Sequence, residues 1–117
     1  MPYVNISSNV ASVNVDVSAA IAAVTKSIST ALDRPAPHVV VQMQLDLLMS
    51  HQESQAPMAF IHVRSIGRLE DERNPKTVAA LTETVAEQLQ VPPARVSIYL
   101  EDISARHWAN NGKVVGL

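Results

Sequence analysis

Proline stands second in the chain, behind Met1, and removal of that methionine would turn its nitrogen into a free secondary amine. Burial among apolar side chains disfavours the protonated amine and draws its pKa towards neutrality, and a neighbouring cation acts in the same direction. A base whose pKa lies near the working pH removes a carbon-bound proton efficiently. Pro2 therefore reads as a candidate general base, with Tyr3, Ile66 and Val115 able to supply dry surroundings. The bland alternative is that proline at position two is common and merely permits methionine removal. Arg34 is the second candidate, because a guanidinium can hold a carboxylate through two parallel hydrogen bonds where lysine offers a point charge. It fits equally well as a solvated cation near a helix C-terminus. His38, His51, His62 and His107 follow no recognised ligand spacing, and no His-x-x-x-His pair exists, so a metal centre is not expected. His62, on a strand, is expected as a buried, hydrogen-bonded core residue. Glu70-Asp71-Glu72-Arg73 reads as a solvated helix start rather than a site. No Gly-rich phosphate loop or Ser/His/Asp nucleophile signature stands out.

Composition narrows what must position these residues. A chain of 117 residues has room for one domain, 1–117, and extra burial through oligomers suits so small a core. Hydrophobic residues make up 47% but aromatics only 3%, so the core must be built from Val, Ile, Leu, Met and Ala. The formal charge of −2 comes without a basic run, which argues against nucleic acid or an anionic membrane as partner. The absence of cysteine removes disulfides, thiol catalysis and thiolate metal sites. MPYVNISSNV has neither a charged n-region nor a long apolar h-region, and no apolar run could span a bilayer. A soluble protein without a classical signal peptide is expected.

The chain repeats itself at an offset of 57 positions, Met1 lying over Met58. Ile21, Val24, Thr25, Ile28 and Leu32 lie over Val78, Leu81, Thr82, Val85 and Leu89, and Pro35, Val39, Val41 and Met43 over Pro92, Val96, Ile98 and Leu100. The two copies are 1–57 and 58–103, with an extension, 104–117. Each copy predicts a strand, a helix over roughly 17 to 32 or 75 to 90, and a second, β-branched strand. Asn74 before Pro75 signals a helix start, and Pro35 and Pro92 stop the helices. Two β-α-β units with right-handed crossovers give an α+β fold, a four-stranded mixed sheet with both helices on one face. In the second strand Val39, Val41, Met43 and Leu45 point one way and Val40, Gln42 and Gln44 the other. That mixed face suggests burial against other copies in closed cyclic symmetry, the alternative being a monomer with one wet face. Residues 104–117 are expected to form a turn and a short strand pairing with a neighbour's edge.

Met1-Pro2 opening a strand, Arg34-Pro35 after the first helix, Ser65-Ile66-Gly67 after the third strand and Pro92-Pro93-Ala94-Arg95-Val96 before the fourth match one family in order and spacing. The chain resembles the macrophage migration inhibitory factor and D-dopachrome tautomerase family over essentially its whole length. The resemblance implies a homotrimer with a central barrel and active sites between subunits. It implies cofactor-free keto–enol tautomerisation of small α-keto acids or enols, such as phenylpyruvate. It makes Pro2 the base, Arg34 the counterpart of the family's usual lysine, and Ser65 and Ile66 a pocket wall, with His38 near the rim where the family often has tyrosine. It also implies a cytoplasmic protein that can be secreted without a signal peptide, and, through cytokine-like members, a protein receptor as a further partner.

The departures from the family pattern concern the pocket walls. The tyrosine of the fourth strand aligns with Ser97 and the asparagine two residues on with Tyr99, so a phenol survives in a different place. Tyr99 is either a relocated donor that shapes the pocket or a barrel-facing filler. The wall tryptophan aligns with Asn110, with Trp108 out of register, and the penultimate phenylalanine with Val115. A glycine pair is replaced by Gln52-Glu53, and the Cys-x-x-Cys of some members by Met58 to Ile61. The leading expectation is a tautomerase of weakened or altered preference. Its rivals are a binding trimer with a vestigial pocket and a purely structural oligomer.

Overall fold

Alternating burial makes Pro2–Ser8 a strand, β1, with Pro2, Val4, Ile6 and Ser8 inside and the residues between them part-exposed. Proline is tolerated there because it is the first residue of the strand, where its missing N–H costs the ladder least. The computed structural model describes residues 1–116. Helix α1 (Val17–Leu32) begins where the Asp16 side chain accepts the Ala19 N–H, 3.1 Å away, and is followed by strand β2 (Val40–Gln44). The second half repeats the plan as β3 (Ala59–Ser65), α2 (Asn74–Leu89) and β4 (Val96–Asp102). β3 and α2 stand 57 positions beyond β1 and α1. So do the left-handed residues closing the helices, Asp33 (φ 51°) and Gln90 (φ 56°).

The strands lie in the order β2-β1-β3-β4. β1 runs parallel to β2 and antiparallel to β3, and β3 parallel to β4. Val4 and Ile6 of β1 and Ala59, Ile61 and Val63 of β3 are fully buried under Val24, Ile28, Leu32, Leu81 and Val85 of the helices. In α1 every fourth residue from Ala20 to Leu32 is buried, the stripe an amphipathic helix presents to a sheet. The α2 stripe differs from expectation by one position, since Thr77 rather than Val78 takes the buried place. The Thr77 hydroxyl can be buried because it donates to the Arg73 carbonyl, 3.3 Å away. α2 starts at Asn74, as its place before Pro75 signals, and the Asn74 side chain donates back to the Leu69 carbonyl at 3.1 Å.

The other sheet face is left open by a single chain. Val40, Phe60 and Tyr99 are exposed there beside a polar row in which Glu101 accepts from Arg64 at 3.3 Å and bonds His62 at 2.8 Å. His62 is thus hydrogen-bonded but sits on this open face rather than in the core, because it alternates with the buried Ile61 and Val63. The extension also differs from expectation. Instead of one strand it forms a small hairpin, β5 (Ala109–Asn110) against β6 (Lys113–Val114). Gly116 closes it by donating to the Ala105 carbonyl at 2.9 Å, and a Cβ on Gly116 would meet the Ala105 backbone at 2.7 Å. Leu117, also assigned to that strand, lies outside the described residues.

Candidate active site

One end of the sheet gathers the start of β1, the ends of β3 and β4, and the turn that closes α1. Three bonds fix Arg34 there. Its N–H donates to the Ser29 carbonyl at 3.0 Å, and its carbonyl accepts the Ser29 hydroxyl at 2.6 Å. Its guanidinium Nη2 donates to the Ile66 carbonyl at 3.2 Å. Asp33 makes the turn in the left-handed region and Pro35 fixes the exit, so the guanidinium faces the loop after β3. Its Nε is buried and has no partner, leaving a donor of the planar fork unused.

The facing loop is braced from both sides. Pro2 pairs with Ser65 in the β1–β3 ladder, and the Ile66 N–H donates to the Met1 carbonyl at 3.3 Å. The Ser65 hydroxyl is buried and donates to the Gly67 carbonyl at 2.7 Å, so it shapes the turn and does not face outwards. Gly67 has φ +73°, which a side chain would strain, and its N–H donates to Asp102 at 3.1 Å. The Ile103 N–H closes the brace on the Ser65 carbonyl at 2.9 Å. The electrostatics follow from this crowding. The Met1 amine, one residue before Pro2, is held below its ordinary value, first by burial and then by the Arg34 guanidinium.

Pro2, Arg34, Ser65 and Ile66 therefore meet at one place. His38 lies at the same sheet end, two residues before Val40, which pairs with Tyr3, and it is exposed. Tyr99 does not join them within one chain. It lies on the opposite sheet face, three residues before the Asp102 that pairs with Ser65, about 10 Å along the strand. There it stacks on His62 with centroids 4.9 Å apart, half-exposed. Sequence reasoning missed Ser29 and Asp102, which hold the turn and the loop in place. A Ser five residues before Arg34 is a weak signal, and Asp102 gains its meaning only from the strand register. Among the described residues no group of three or more His, Asp or Glu is placed to hold a metal ion.

Comparison with known proteins agrees with this geometry. The model of the macrophage migration inhibitory factor family matches residues 1–116. The macrophage migration inhibitory factor of Xenopus laevis is 30% identical over 88 residues, 75% of this chain and 76% of that protein. The MIF-like protein mif-2 of Caenorhabditis elegans is 26% identical over 98% of this chain and 95% of its own length. Among solved structures, a macrophage migration inhibitory factor homologue from Prochlorococcus marinus superposes with a TM-score of 0.91 at 25% identity, covering 97% of this chain and 99% of that one. The chain belongs to the macrophage migration inhibitory factor family.

Proposed function

We propose that the chain is a cofactor-free keto–enol tautomerase acting as a homotrimer, with Pro2 as general base once Met1 has been removed. What supports this reading is the setting one residue before Pro2, where the Met1 amine is depressed by burial and by Arg34, whose fork keeps an unused donor; removal of Met1 would leave the Pro2 nitrogen in the same surroundings. A small α-keto acid fits that pair. Arg34 holds its carboxylate, and the unprotonated Pro2 nitrogen takes a proton from the carbon beside the carbonyl. The electron pair of that C–H bond becomes the carbon–carbon double bond, and the carbonyl oxygen takes the charge. Return of the proton from Pro2 to that oxygen completes the enol and regenerates the base.

One chain supplies the floor of such a site and little of its wall. Two open grooves on the helix layer are lined by neither Pro2, Arg34 nor Ile66. The open sheet face and the bare Leu48 support assembly with further copies, which would bring a neighbour's residues, Tyr99 among them, to the Pro2 end. The test is turnover of phenylpyruvate by processed protein against Pro2→Gly. A large loss in the variant supports the proposal, and equal rates refute it.

A second reading, a regulatory or cytokine-like binding trimer of the same fold, is favoured by the missing aromatic walls at Ser97 and Val115. A mature chain that keeps Met1, whose carbonyl holds the Pro2 nitrogen as a non-basic amide, decides for that reading.

A further inference from the structure

The outer face of α2 carries charges that do nothing for the helix itself. Lys76, Ala79, Glu83 and Glu87 form its solvent-facing stripe. Lys76 stands in the first turn, where the dipole favours an acid, and Glu87 in the last, where it favours a base. Glu83 and Glu87 are one turn apart, a like-charge spacing that weakens an isolated helix. None of the three has an ion-pair partner among the described residues. Two shallow grooves flank the stripe. The one between α1 and α2, about 840 Å³, has a floor of Ala23, Ala31 and Ala80 and a rim that includes Lys26 and Lys76. The one at the other end of α2, about 650 Å³, is floored by Val78, Ala86 and Pro93 and rimmed by Glu83 and Glu87.

We infer that this face is a twofold interface with a second copy of the chain, α2 packing antiparallel on α2. The charge pattern is self-complementary. Lys76 and Glu83 are equidistant from the midpoint between Ala79 and Ala80. An antiparallel pair crossing there sets Lys76 of each copy beside Glu83 of the other, and the same symmetry sets Glu87 opposite Glu72, at the groove that also holds Lys26. Alanines at the crossing allow the helix axes to approach closely. The match has one like-charge member. Glu72 also lines the basic groove, while Arg73 is already committed to Glu70 and to the Ala31 carbonyl, so Lys26 and Lys76 leave that end with a net positive charge. A self-complementary patch of this kind closes as a twofold contact between two chains, and a trimer presents three of them. It uses the helix layer and leaves the open sheet face free, so it links whole assemblies and is independent of the tautomerase reading.

Sedimentation of the full chain tests this at about 0.01 M and about 1 M ionic strength, between which the screening length falls from about 30 Å to about 3 Å. The mass at low salt is expected to be at least twice that at high salt. Lys76→Glu converts both pairs to repulsions and weakens the association by about tenfold or more. The double variant Lys76→Glu/Glu83→Lys restores the pairs with reversed sign and recovers it. Glutamate suits the first turn, so circular dichroism should stay unchanged and separate lost association from lost folding. Equal mass at both salts, a Lys76→Glu variant that associates like the parent, or a double variant that does not recover overturns the inference.

Discussion

Removing the Arg34 guanidinium separates an anchoring role from a merely structural one. The residue is pinned through its backbone to Ser29, at 3.0 and 2.6 Å, so Arg34→Ala leaves the turn intact and deletes only the fork. That fork spends Nη2 on the Ile66 carbonyl at 3.2 Å and keeps a buried, unpartnered Nε. A carboxylate held on two charged hydrogen bonds, each contributing about 1.5 kcal/mol or more, loses about 3 kcal/mol, a fall of about 100-fold in kcat/KM. Arg34→Lys keeps the charge and loses the parallel geometry, so about tenfold is expected. The pH profile carries a second signature. Only the unprotonated amine acts, so kcat/KM rises with pH through its pKa. Arg34 lowers the Met1 amine; acting on the freed Pro2 nitrogen in the same way, its loss is expected to raise that pKa and move the acid limb to higher pH. The assay is steady-state phenylpyruvate turnover by processed protein across neutral pH. A variant with parental kcat/KM and an unmoved acid limb would refute the assignment.

Other expectations concern the frame around the site. The Arg95 guanidinium donates at 3.0–3.2 Å to the carbonyls of Pro57, His51, Ser54 and Ala56. Arg95→Ala should cost about 2–3 kcal/mol and about 10 °C of Tm, and a thermal scan within error of the parent would contradict it. Gly116→Ala forces a Cβ to 2.7 Å from the Ala105 backbone, so amide exchange at Val115 and Gly116 should accelerate while the four-stranded sheet keeps its protection. Unchanged exchange at those two amides would show that the hairpin yields without opening. Leu48, bare in one chain, should be covered in the assembly. Leu48→Asp should then release monomers in sedimentation, and a mass equal to the parent's would place the interface elsewhere.

Much of the frame could be read from residue types because each half repeats the same local logic. The offset that sets Met1 over Met58 also sets β1 over β3 and α1 over α2, down to the left-handed residues Asp33 and Gln90 that carry no glycine signal. Helix α1 begins and ends where its periodicity placed it, between Asp16 and the stop at Pro35. Periodicity failed at Thr77, where a hydroxyl satisfied by the turn above displaces Val78 from the buried stripe. It also failed at His62, because strand parity, invisible without the neighbouring strands, turns that ring to the open face. Pro2, Arg34, Ser65 and Ile66 were identified from ordered short motifs, and the fold brings them together. The bracing by Asp102 could not be identified that way, since it depends on a register between strands 37 positions apart. The extension has no counterpart in the first half, so no repeat disclosed its hairpin.

Catalysis by Pro2 requires a free nitrogen whose pKa lies below that of an ordinary terminal amine. The direct measurement is a pH titration of the Pro2 nitrogen by NMR in protein whose mature N-terminus has been verified by mass. Burial and Arg34 predict a midpoint displaced towards neutrality, below the about 7.7–8.0 of an ordinary terminal amine, and a rise when Arg34 is replaced. A chain that retains Met1, or a Pro2 nitrogen that titrates like a solvated amine, would contradict the catalytic reading.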